Sequence, residues 1–172
     1  MNSGAIIRRL EGFPAVVAAL VRSVSDEEAR VRSASGAWSI AEIVAHLADE
    51  EELDFRARLG STLRDARAPW PSIDPEGWAR QRGYNAMNLG EVLGRFTRAR
   101  AESVVWLRSL EDADWSIAHP HPKFGPIKAG DLLAAWAAHD ALHLRQIAKR
   151  LYERAAHDAP GFSTRYAGDW GP

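Results

Sequence analysis

The sequence predicts an all-α protein, four long helices gathered into a bundle, and three observations carry that prediction. Apolar residues recur at three- and four-residue spacing through four separate stretches, the mark of helices that bury one face. Ser or Asn is followed three residues later by Glu at Ser25/Glu28, Ser39/Glu42 and Asn88/Glu91, which signals capped helix starts. The stretch Leu132–Leu151 contains no Gly or Pro and is rich in Ala and Leu. Long helices are expected over 5–23, 39–60, 88–110 and 128–152. They form one domain, residues 1–155, followed by an irregular tail, 156–172.

The first helix carries Ile6, Ile7, Leu10, Phe13, Val16, Val17, Leu20 and Val21. Pro14 interrupts it, either kinking it or marking the first position of a helix that starts there. Ser25 caps a short helix ending near Arg30, and Gly36 turns the loop that follows. The helix from Ser39 buries Ile40, Ile43, Val44 and Leu47. His46 lies beside that stripe, and Glu50 falls between His46 and Ile43. Asp49, Glu52 and Arg56 are read as a solvated face.

Residues 61–87 form a long connection, which in a compact domain is often functional. Pro69-Trp70-Pro71 is extended, and Asp74-Pro75 opens a short helix that Gly83 stops. Trp70, Trp78 and Tyr84 either wall a pocket or plug the open end of the bundle. The third long helix buries Leu89, Val92, Leu93, Phe96, Val104 and Leu107, with Arg95, Arg98 and Arg100 on a basic side. Arg100 is placed at the surface, or in a pocket facing an acidic substrate group. Residues 111–126 read as a loop. Its prolines hold His119 and His121 extended, so their rings point to opposite sides and are not ligands. His157, Phe162, Tyr166 and Trp170 lie in the polar tail.

The last long helix carries the chemistry. His139 and His143, four residues apart, share one helix face and can share a metal ion. They border an apolar arc of Leu132, Leu133, Trp136, Ile147 and Leu151, so packed core histidines are the competing reading. Asp140 falls inside that arc and needs a donor. A zincin site would have Glu after the first His and a further ligand downstream; Asp140 and a tail His157 do not supply it. A third ligand should therefore come from another helix.

W-S-x-x-E-x-x-x-H-L from Trp38 to Leu47, followed late by H-D-x-x-H-x-x-Q-I from His139 to Ile147, resembles the DinB-like superfamily with its YfiT-type members. The resemblance spans about Pro14 to Leu151. It implies an up-down four-helix bundle with short helices in its connections and a metal site of His46, His139 and His143. Glu50 becomes a base or fourth ligand, or simply pairs with an Arg. Asp140 and Gln146 become groups that orient the imidazoles. The implied cofactor is a divalent ion, zinc or nickel, then iron or manganese.

The implied activity is transfer or isomerisation using a small thiol cosubstrate, or hydrolysis, on a small-molecule substrate. The alternative is a non-catalytic stress-response bundle that binds metal or ligand as a homodimer. With no cysteine, the chain has neither a disulfide nor a thiolate of its own. A formal net charge of −1 gives no basic footprint for nucleic acid. No signal peptide or membrane span is legible, so a cytoplasmic location is expected.

Overall fold

A computed structural model describes residues 1–171. It is a four-helix bundle with short helices and one small hairpin in its connections. The first long helix is α1 (Ser3–Val21), and α2 (Asp26–Ala29) is the short one capped by Ser25. The second long rod is composite: α3 (Ile40–Glu50), a π-helical turn (Glu51–Phe55) and α4 (Arg56–Arg64). After α5 (Pro75–Gln81) come α6 (Leu89–Arg108), the strands β1 (Ala118–His121) and β2 (Gly125–Lys128), and α7 (Ala129–His157). α6 packs on α1 and α3, and α7 on α1, α3 and α4. No helix among the described residues is long and apolar enough to cross a membrane.

Ser25 and Ser39 both form reciprocal capping boxes with Glu28 and Glu42. Pro14 neither breaks α1 nor begins it. A proline at this position cannot donate to the carbonyl four residues back, that of Leu10. The freed Leu10 oxygen instead accepts from Arg100 Nη1 at 2.8 Å. A buried side chain thus replaces the lost backbone donor and lets the helix run through.

Several boundaries differ from expectation. The rod from Ile40 runs past Gly60 to Arg64, because Gly60 stays helical against the ring of Trp106. Helix α7 extends to His157. The expected loop 111–126 contains the β1–β2 hairpin, paired Ala118↔Lys128 to His121↔Gly125 and turned at Gly125 with φ +72°. Proline is tolerated there because a two-stranded ribbon has only edges. The hairpin hands the chain to α7 through Ala129 N–H to Ile117 O, 2.8 Å. In the tail, Tyr152 Oη donates to Gly168 O at 3.1 Å, while Phe162 and Tyr166 face solvent.

Candidate metal centre

α3 delivers His46, and α7 delivers His139 and His143 on successive turns of its inner face. His46 Nε2 lies 3.2 Å from His139 Nε2, which lies 3.0 Å from His143 Nε2. The three nitrogens converge on one point. Metal–nitrogen bonds of about 2.0–2.1 Å at tetrahedral or octahedral angles set nitrogens about 3.0–3.4 Å apart, so the spacing fits a single ion. Burial holds all three rings neutral. It lowers His46 to about 3, His139 to about 2 and His143 to about 4, with mutual repulsion adding to the first two. Neutral imidazoles are the ligating form.

The surroundings fix each ring. His143 Nδ1 donates to Gln146 Oε1 at 2.8 Å, which leaves the Nε2 lone pair facing its neighbours. The edge of Trp38 packs on His46 with centroids 4.9 Å apart, and Phe55 meets His139 at 5.1 Å. His46 Nδ1 and Glu50 Oε1 are both buried without a hydrogen-bond partner, 3.6 Å from each other. Burial raises the Glu50 carboxyl far above the usual range, and the neighbouring Asp54 raises it further. Asp54 in turn meets Arg58 Nε at 2.7 Å. His46, His139, His143, Glu50 and Gln146 all line one open cavity of about 750 Å³.

Residues 9–147 match the profile of the DinB superfamily. The chain belongs to the DinB superfamily. Two proteins of Oceanobacillus iheyensis named "Putative metal-dependent hydrolase" are 28% and 24% identical to it, over 142 and 141 residues. The alignments cover 82% of this chain in both cases, and 80% and 81% of the relatives. A protein of the same name from Geobacillus kaustophilus is 24% identical over 143 residues, 83% of this chain and 80% of its own. Among solved structures, YfiT from Bacillus subtilis, described as "a probable metal-dependent hydrolase with an unusual four-helix bundle topology", superposes with a TM-score of 0.80. It covers 89% of this chain and 87% of its own at 19% identity, a likeness of fold.

Four residues expected at the pocket of this DinB-superfamily chain lie elsewhere. Trp70 stacks on His119, centroids 4.1 Å apart, and donates from Nε1 to Thr62 Oγ1 at 3.1 Å. Trp78 packs on the core beneath Arg82, and Tyr84 is buried with its hydroxyl on Asp49. All three plug and brace the bundle. Arg100 is not at the surface: it is 2% exposed, enclosed by carboxylates. Asp140 orients no imidazole, because Arg100 takes both its oxygens at 2.7 and 2.8 Å. Asp49, read as solvated, is fully buried by Tyr84, Arg82 and Arg95. The cavity wall also includes Trp38, Arg32, Arg80, Lys149 and Arg150, which sequence reasoning did not assign. Helical phase did carry a signal for Lys149 and Arg150, which follow His143 by six and seven residues. Nothing local marked Arg80.

Proposed function

We propose that this chain is a metal-dependent hydrolase of small molecules. His46, His139 and His143 hold a divalent ion, zinc or nickel, and Glu50 serves as the base. The observation that carries the reading is the convergence of three neutral imidazole nitrogens beside a buried carboxylate whose Oε1 has no partner, on the wall of an open cavity. A bound divalent ion supplies a water of lowered pKa and polarises a substrate carbonyl or phosphoryl oxygen.

The chain's own residues do the rest. Gln146 fixes the tautomer of His143. Glu50, once ionised, accepts a proton at Oε1 and returns it to the leaving group. Phe55, Trp38 and Ile43 exclude bulk water from one side of the imidazoles. Three protein ligands leave coordination positions for water and substrate, as catalytic rather than structural sites do.

The test starts from untagged protein after gel filtration. Plasma mass spectrometry should find about one divalent ion per chain, the stoichiometry of one three-ligand site. Ester, amide and phosphoester substrates should then be cleaved without added thiol, and Glu50→Gln should abolish the rate while retaining the ion. A rate that requires a small external thiol would turn the reading to S-transfer, since the chain has no cysteine. A chain that stays metal-free after dialysis against zinc and nickel would overturn catalysis in favour of a ligand-binding bundle, with a homodimer as its functional form.

A further inference from the structure

The cavity over the imidazoles is rimmed by cations, although the whole chain carries a formal net charge of −1. Arg32, Arg80, Lys149 and Arg150 line it, against the two carboxylates Glu50 and Glu76. Two of the cations are already committed. Arg32 Nε donates to Glu42 Oε2 at 2.9 Å, and Arg150 Nε meets Glu153 at 3.0 Å while Nη1 reaches Trp38 O. Arg80 of α5 and Lys149 of α7 are exposed and form no side-chain hydrogen bond or ion pair with any described residue. A second cavity of about 670 Å³ adjoins the first and shares Arg32, Ser35, Lys149 and Arg150 with it, so Lys149 stands on the partition.

We propose that the cavity binds a small molecule bearing an oxyanion, a carboxylate or phosphate, held by Arg80 and Lys149 while the rest of the molecule reaches the imidazoles. A concave site lined by one sign of charge focuses its field and concentrates ligands of the opposite sign. Arg offers a planar fork to such a group and Lys a point charge, and their hydrogen bonds to it are charge-assisted. The two side chains come from different helices flanking the cavity, so an anion between them would cross-link α5 to α7. Nucleic acid is disfavoured as the source of that anion, because the positive field is confined to the cavity rather than spread over a surface. The inference rests on reading this cavity as the active site, but the oxyanion contact needs no metal.

The experiment is an amide NMR titration of the full chain, once after chelator treatment and once loaded with zinc. The probes are succinate, inorganic phosphate and uncharged succinamide. Succinate or phosphate should shift amides around Arg80 and Lys149 saturably in the chelator-treated protein, and succinamide should not. Whichever anion binds tighter identifies the preferred oxyanion. The double variant Arg80→Gln/Lys149→Gln should fold normally, both residues being exposed, and weaken anion binding about tenfold or more. Binding should also fall as salt rises. Equal response to succinamide, or unchanged affinity in the double variant, would overturn the proposal. The chelator-treated arm is untouched by any failure of the metal reading, which only the zinc-loaded arm and the metal analysis address.

Discussion

Consecutive residues on two facing helices meet opposite fates in this bundle. Glu50 and His139 belong to the imidazole cluster; Glu51 and Asp140, their next neighbours, belong to an ionic cluster one layer deeper. In the deeper layer the donors are all supplied. Arg100 Nε donates to Glu51 Oε1 at 2.6 Å, its two terminal nitrogens engage both oxygens of Asp140, and Trp136 Nε1 reaches Glu51 at 2.8 Å. Burial pushes Asp140 up to about 6, with Arg100 pulling it back, so it is ionised at neutral pH. In the imidazole layer the partners are missing: His46 Nδ1 and Glu50 Oε1 are orphaned, and three Nε2 atoms face one another. Buried polarity with its partners on hand is structure, whereas buried polarity that lacks them marks a place where something else binds.

Breaking the satisfied layer should produce the largest change in stability. Arg100→Met leaves two buried carboxylates unpaired and frees the Leu10 carbonyl. A loss of about 3–5 kcal/mol is expected, read as a drop in the urea midpoint of metal-free protein. The imidazole layer should respond the other way round. His46→Ala, His139→Ala or His143→Ala should barely move that midpoint, yet each should weaken zinc binding more than about 100-fold, beyond the usual cost of an outer-sphere change. A histidine variant that unfolds, or an Arg100 variant that does not weaken folding, would erase the contrast.

Acid sharpens it further. The folded pKa values of the three imidazoles lie below the ordinary 6.5, so the unfolded chain binds more protons in that window. Their contribution to stability is complete above about 6.5 and is lost as pH falls toward about 4. The expected loss is on the order of 1–3 kcal/mol per imidazole in metal-free protein. Asp140, raised to about 6, has the opposite slope, gaining stability as pH falls through that value. The comparison is therefore made between wild type and His143→Gln at pH 7 and pH 4.5, where the variant should lose less.

The smallest effects should come from histidines outside the cluster. His119 is buried, its Nδ1 donating to Ala66 O at 2.9 Å and its ring on Trp70. His119→Ala should cost about 1 kcal/mol and leave metal content unchanged. His157→Ala, at the exposed end of α7, should change neither.

Periodicity and caps made the bundle legible, because Ser25, Ser39, Asp74 and Asn88 act through neighbours three residues away. The grouping of His46 with His139 and His143 was legible only through a family resemblance. A spacing of 93 residues carries no local signal. Arg100 was misplaced for the same reason: its partners Glu51, Asp140 and Leu10 come from three other elements, so a basic helix face looked solvated. The hairpin was hidden by its prolines, and the wide turn at Glu51–Phe55 by a sequence that reads as ordinary helix.

That turn exposes the protein to one class of genetic change above others. Its hydrogen bonds span five residues instead of four, so the rod holds one residue more than a regular helix would need. Losing any single codon between 51 and 55 would let the backbone relax into an uninterrupted α-helix. Everything from Arg56 to Arg64 would then rotate by about 100° relative to Ile40–Glu50. Leu59 would leave the core and Arg58 would swing away from Asp54. A reading-frame-preserving deletion here would do more damage than most substitutions, without altering a single residue of the imidazole cluster.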